Sequence, residues 1–428
     1  MLTLLWSCAA PDPPGKTALD GRALVSDLRG NAWSFVDMQT GERDDYALSN
    51  AEPGVCEGED EQPYCLLFQS QLRSGYDGRS EVIFSYSPLD SSDGSDEQPG
   101  DLVGRVRSVD AADRTPRWSV DWLDFSVIGD ASCPYDPADP CHPPDTLTTA
   151  EGFRCRLHMP HDISVIDEDA AAIHFWIADA RNARLLELTA PRDGDCAVVN
   201  TVLDKRYPDW DIYTSPNSVQ HAEKDGVESL LFTAKGSVAD TPEGVAQQAG
   251  DDRGKLLFWE NHGQGWSQTW EFPPERDDRA SFVNAPHGAL RATLTDGTDV
   301  VMFAQSLGLA DDFGVGSGGS VVVLRLDDAG PTYLYDAVRA GKVPWHFPRD
   351  ISPLGGGRFL VADSGCLGPT CSVDGAGWVV QLPTAAAAEL SGAWAIEGAD
   401  EVRMPITMDV GPLFSDFGLI YSAQWIAE

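Results

Sequence analysis

Met159-Pro-His161-Asp-Ile-Ser-Val165, then Ile173-His-Phe-Trp-Ile-Ala-Asp179, then Arg184-Leu-Leu-Glu-Leu188, reads as three short strands separated by turns. Each run is apolar or alternating, rich in β-branched and aromatic residues, and bounded by Pro, Asp, Asn or Gly. The same order recurs along the chain. A proline precedes a strand-opening residue at Tyr64, His161, Asn217, His287, Arg349 and Ile406. Second strands follow as Leu230-Leu-Phe-Thr-Ala234, Val300-Val-Met-Phe-Ala-Gln305, Phe359-Leu-Val-Ala-Asp363 and Leu419-Ile-Tyr-Ser-Ala423, and third strands as Lys255-Leu-Leu-Phe-Trp259, Val321-Val-Val-Leu-Arg325 and Trp378-Val-Val-Gln-Leu382. Aromatic outer strands follow at Trp118, Trp266 with Trp270, and Tyr333 with Tyr335.

A four-strand unit recurring at about 60 residues is the pattern of propeller blades. The chain is therefore expected to be all-β: a β-propeller, with six blades favoured and seven left open. Closure is expected by pairing N-terminal strands between Ala23 and Leu48 with C-terminal strands between Ile406 and Ala423, although this leaves one strand too many. Residues 21–428 read as one propeller domain with long acidic loop insertions at Pro88 to Asp101, Ser126 to Phe153 and Ser237 to Gly254.

The 428 residues carry 30 Lys plus Arg against 68 Asp plus Glu, a formal charge of −38. That balance excludes nucleic-acid binding, which needs cations against the phosphates. No apolar run is long enough to span a bilayer, and a monomer is expected.

Met1-Leu-Thr-Leu-Leu-Trp-Ser-Cys8 resembles the tail of a bacterial lipoprotein signal. The resemblance makes residues 1–20 a signal remnant and tether, with Cys8 lipidated and the protein exported to the cell envelope, on the outer membrane or outside the cell. Removing Cys8 from nine cysteines leaves an even set, which fits an oxidising compartment. Spacing groups Cys56 with Cys65, Cys133 with Cys141 and Cys366 with Cys371, leaving Cys155 for Cys196, while the sequence fixes no connectivity. No CxxC spacing supports a metal cluster instead.

In a propeller, equivalent positions on the innermost strands form a ring at one end of the channel. By the repeat, the ring is Tyr64, His161, Asn217, His287, Arg349 and Ile406, with Asp162 and Asp350 next in line. Two histidines, an arginine, an asparagine and a tyrosine drawn from distant parts of the chain point to a site for a small molecule or a protein segment. His161, His287 and Arg349 are the candidates for catalysis; Tyr64, Asn217, Asp162 and Asp350 are the candidates for binding. The alternative is a solvated channel in which the aspartates cap backbone donors between blades.

The Met159-Pro-His161-Asp-Ile and Ala285-Pro-His287-Gly-Ala-Leu segments, each leading to a strand such as Trp176-Ile-Ala-Asp-Ala-Arg-Asn-Ala-Arg-Leu-Leu-Glu-Leu188, resemble blades of the NHL class of propellers. They are similar in particular to those of the peptidyl amidating lyase, and that resemblance implies zinc held by channel histidines and a lyase or hydrolase activity. The third alternate position is Ile406, which leaves Asp409 as the substitute ligand. Asp-rich loops such as Ser91 to Asp101 leave calcium open without matching a full binding loop.

Trp266-Ser-Gln-Thr-Trp270 leading to His287, and Tyr333 leading through Trp345 to Arg349, resemble bacterial arylsulfotransferases. This resemblance implies sulfuryl transfer, with His161 or His287 as nucleophile and Arg349 with Asn217 as the anion clamp. A non-catalytic binding or scaffolding lipoprotein is the standing alternative to both enzymes.

Overall fold

The computed structural model describes residues 21–27, 31–51, 56, 65–88, 103–130, 133, 138–141, 154–204, 215–235, 254–272, 286–293, 299–305, 319–327, 330–336, 347–355, 358–364, 375–381, 407–408, 414–417 and 420–426. The tether at 1–20, Cys8, Tyr64, Cys366, Cys371, Ile406 and Asp409 lie outside them. Among the described residues, no helix is long and apolar enough to cross a membrane.

Six separate sheets follow one another around a channel, so the propeller has six blades and the seven-blade alternative falls. Blades two to six each run outward from an inner strand: Cys65–Ser74, Pro160–Glu168, Ser215–Lys224, Pro286–Thr293 and Pro348–Gly355. Blade one takes its inner strand from the C-terminal segment Ile420–Ile426. That strand pairs antiparallel with Arg22–Asp27, to which Ala32–Asp37 and Arg43–Ala47 are added.

The propeller thus closes as expected, by pairing of N- and C-terminal strands, and the surplus strand is accounted for. Thr407–Met408 pairs with Val380 and Gln381 on the outer side of blade six, so the Ile406 anchor opens no inner strand. The C-terminus supplies one strand to blade one and the N-terminus supplies three. Blade three carries an extra outermost strand, Trp122–Asp124, parallel to Cys196–Leu203.

Cores form between and within blades from the apolar second and third strands; Trp33, Trp176 and Trp259 are fully buried there. Blade-to-blade spacing is set by a repeated close contact. The glycine just before the third strand of one blade lies against the proline that opens the next. A Cβ on Gly104, Gly254 or Gly319 would stand 2.3, 2.5 or 2.2 Å from the Cδ of Pro160, Pro286 or Pro348. Gly375 meets Ile420 in the same manner, at 2.8 Å from Cγ1, which places Ile420 where the other blades have proline.

The inner strands face the channel with one edge unpaired, and unpaired backbone groups are costly when water is scarce. Two tiers of side chains from the preceding blade meet that need. In the first tier, Gln69 Oε1 accepts from Ile163 N at 2.7 Å, Asp162 Oδ2 from Val219 N at 2.8 Å, Asp350 Oδ2 from Ala423 N at 3.2 Å and Ser422 Oγ from Ser70 N at 3.2 Å. In the second, Ser164 Oγ accepts from His221 N at 2.9 Å, Gln220 Oε1 from Arg291 N at 2.8 Å, Ser352 Oγ from Trp425 N at 3.2 Å and Gln424 Oε1 from Leu72 N at 2.6 Å. Between blades five and six the second-tier position is apolar Leu290, and the residue it would serve is Pro353, which has no N–H.

The disulfides connect differently from the spacing. Cys56 bonds Cys65, as grouped, and ties the end of blade one to the inner strand of blade two. Cys141, however, bonds Cys196, while Cys133 and Cys155 are buried thiols. Sequence proximity misgrouped these four because Cys141 and Cys196, 55 residues apart, meet with Cα atoms at 5.9 Å.

The glycine–proline contacts give a direct expectation. Gly319→Val should destabilise the fold by about 2 kcal/mol through overpacking, whereas Gly41→Val, whose added Cβ would meet nothing within 4 Å, tests the separate effect of its φ of +75°. Denaturant midpoints of both variants measure this; a Gly319→Val protein as stable as wild type would show that the blades slide apart freely.

Candidate functional site

All six inner strands carry a β-bulge near their start. The extra residue is Phe68 in blade two, Asn217 in blade four, Arg349 in blade six and Tyr421 in blade one. In blade three, His161 and Asp162 together oppose Ala178, and in blade five His287 and Gly288 oppose Ala304. A bulge breaks the alternation of the strand and re-aims one side chain. Repeated six times around one axis, it turns Phe68, His161, Asn217, His287, Arg349 and Tyr421 toward one another.

Tyr421 touches the other five. Its hydroxyl donates to Asn217 Oδ1 at 3.1 Å. Its ring lies edge-on to Phe68, His161 and His287, with centroids 5.7, 5.5 and 6.4 Å away, and the Arg349 guanidinium carbon sits 4.7 Å above it. The Phe347 ring lies against the same guanidinium, also at 4.7 Å, and edge-on to His287 at 5.5 Å. Most of the cluster is buried, with Phe68 and His287 each 2% exposed and Asn217 3%, while His161 and Arg349 are half-buried.

Arg349 is the electrostatic focus. Among the described residues no carboxylate is paired with it, and burial lowers its basicity while Tyr421 partly restores it. Burying a cation costs several kcal/mol, and each aromatic face returns about 0.5–2 kcal/mol. The guanidinium is therefore left with charge to spare.

The aspartates have a different place. Asp162 and Asp350 sit one residue beyond the bulges, in blades on opposite sides of the channel, and line a cavity of about 440 Å³ shared with Gln69, Gln71, Arg73 and His221. Both carboxyl oxygens of each accept backbone N–H: Asp162 from Ile163 and Val219, Asp350 from Ile351 and Ala423. These are the capping bonds of the channel ladder, so their polarity is spent within the fold. Gly288 leaves room there, since a Cβ would stand 2.6 Å from Asp350 Oδ1. Burial pushes Asp350 up to about 7 and holds Asp162 well above the ordinary carboxylate range, with Asp350 adding to the effect.

The structure thus brings together four of the six residues read as a ring: His161, Asn217, His287 and Arg349. The remaining two positions are taken by Phe68, four residues beyond Tyr64 in the sequence, and by Tyr421 in place of Ile406. A signal for both was present. After each bulge comes a polar–x–polar triplet, Gln69-Ser-Gln71, Asp162-Ile-Ser164, Ser218-Val-Gln220, Asp350-Ile-Ser352 and Ser422-Ala-Gln424, and only Gly288-Ala-Leu290 departs. His158 is buried outside the cluster, and burial lowers its imidazole to about 4. Among the described residues no group of three or more His, Cys, Asp or Glu side chains is arranged to hold a metal ion.

No family model matches the chain, and no curated protein matches it by sequence. Among solved structures it is similar to the hydrazine synthase of Kuenenia stuttgartiensis, with a TM-score of 0.40 and 10% identity over 89% of this chain and 80% of that one. It is also similar to the levansucrase of B. megaterium, with a TM-score of 0.39 and 11% identity over 78% and 87%, and to the endo-arabinase of Bacteroides thetaiotaomicron, with a TM-score of 0.31 and 12% identity over 60% and 81%.

The raised aspartate sets a pH dependence. An acid whose pKa is higher folded than unfolded keeps its proton after the unfolded chain has lost it, so stability is full below the unfolded value of 3.8 and is lost as pH rises through about 7. Replacing Asp350 by Asn removes this contribution. Because the carboxyl lines an open cavity, the variant should gain roughly 1–2 kcal/mol relative to wild type between pH 5 and pH 8. Melting curves of both proteins at the two pH values check this, and a constant difference would refute it.

Proposed function

We propose that this protein is an exported binding propeller whose axial cluster holds a small anionic ligand. One observation carries the reading: a buried guanidinium with no carboxylate partner among the described residues, delivered to the channel axis by a bulge beside two imidazoles, an amide and a phenol. An anion at Arg349 would neutralise the charge that the fold leaves over and replace the cation–π contact with a charge-assisted hydrogen bond. Asn217 and the imidazoles of His161 and His287 are placed to complete its coordination. Tyr421 must give way first, so the phenol determines which ligands enter.

Export is supported by the two disulfides, which persist in oxidising compartments. Lipidation at Cys8 belongs to the same proposal. Cys8→Ser should move the protein from the membrane fraction to the soluble fraction with its melting curve unchanged; an unmodified N-terminus on soluble wild type would end that idea.

The ligand test is calorimetric titration of the purified protein with inorganic sulfate, inorganic phosphate and benzoate. Arg349→Met should lower affinity at least 100-fold for whichever anion binds, while Trp176→Ala, a core change expected to cost about 3–5 kcal/mol of stability, should leave affinity unchanged at temperatures where it is folded. Equal binding by wild type and Arg349→Met would overturn the proposal. Turnover of aryl sulfate with a phenolic acceptor, measured alongside, would extend it from binding to sulfuryl transfer, with His161 and His287 as the nucleophile candidates.

A further inference from the structure

Between Trp122–Asp124, the outermost strand of blade three, and Pro160–Glu168, its inner strand, the chain carries three cysteines. One of them, Cys141, is fastened to Cys196 at the start of a blade-three strand. The other two, Cys133 and Cys155, stand in a single apolar cluster with Phe125, Leu157 and Trp118. They are 2% and 3% exposed, and their thiols are hydrogen-bonded to each other.

A buried dithiol of this kind has three chemical uses: a metal pair, a reactive thiol or a disulfide. The first needs further ligands, and among the described residues no such group surrounds the two sulfurs. The second needs a thiolate that solvent can reach, whereas burial and the neighbouring sulfur push the Cys155 thiol far above its ordinary range. The third needs only contact and an oxidant, and the described residues include two other disulfides, one of them from this same segment.

We propose that Cys133 and Cys155 form a disulfide in the mature protein, so that the segment joining the outermost and inner strands of blade three is held by two bonds. The oxidant is itself a disulfide, that of a folding catalyst or of oxidised glutathione. One cysteine attacks it as thiolate to give a mixed disulfide, the second displaces the carrier, and the two protons and two electrons lost by Cys133 and Cys155 leave two thiols on the oxidant. Attack requires thiolate, so exchange occurs before the core closes, and a chain that folds without oxidant keeps the pair as a protected dithiol.

The test is peptide mapping of wild-type protein made in an oxidising compartment, unfolded in denaturant with iodoacetamide and no reductant. The expected result is a peptide pair linked through Cys133 and Cys155, with neither residue alkylated. Protein reduced and refolded without oxidant should then form the bond at least 10-fold more slowly under native conditions than in mild denaturant when given oxidised glutathione. Alkylation of both residues in the oxidised protein, or linkage of either to another cysteine, would overturn the assignment. Mapping uses the native sequence, so the outcome does not depend on whether Cys133→Ser or Cys155→Ser folds.

Discussion

A propeller places the innermost strand of every blade where no further strand can pair with it, and the rest of this structure follows from how those amides are satisfied. The solution is lateral: in every blade but the fifth, a side chain one residue past the bulge or another two residues further on reaches to the backbone of the next inner strand. Each such bond contributes about 0.5–1.5 kcal/mol net, but leaving the donor buried and unmet costs more. The ladder therefore acts chiefly as a constraint on sequence. At Leu290 the acceptor is missing and so is the donor, at Pro353, and at Gly288 the missing acceptor is replaced by Asp350, which takes the Ile351 N–H itself.

The same constraint separates structural from functional polarity. Asp162, Asp350, Gln69, Ser164, Gln220 and Gln424 are polar, lie along the channel and are spoken for by backbone N–H groups. His161, His287, Arg349, Asn217 and Tyr421 instead meet each other, and Arg349 retains its charge. Polarity in the channel is not in itself a sign of function; polarity that the fold does not consume is.

Much of this could be read in the sequence. The apolar second and third strands announced the blades because their burial on both faces demands continuous hydrophobic runs, as in Ile173 to Ala178 and Val321 to Leu324. Proline marked four inner strands, and at three of them, Pro160, Pro286 and Pro348, it packs on a neighbouring glycine. The marker failed where that packing is made otherwise. Ile420 takes proline's place beside Gly375, so Tyr421 was hidden in an apparent second strand, while Pro405 misdirected the register to Ile406. The cysteine pairs misled for a similar reason: Cys141 and Cys196 meet through folding of distant segments, which spacing along the chain does not encode.

Closure by a C-terminal strand couples two properties that are separable in other architectures. Ile420–Ile426 bonds to both flanks, through Ser422 to Ser26 across 396 residues and through Gln424 to Leu72 across 352, and it also delivers the central phenol of the axial cluster. On a ribosome this is the last of the described strands to be made, so five blades and part of a sixth wait with an open seam and an incomplete cluster. Such contacts are of the most distant kind, which slows the final step. The completeness of synthesis is thereby written into the centre of the molecule: a nascent chain that stops early is at once unsealed and without the phenol that joins the axial cluster.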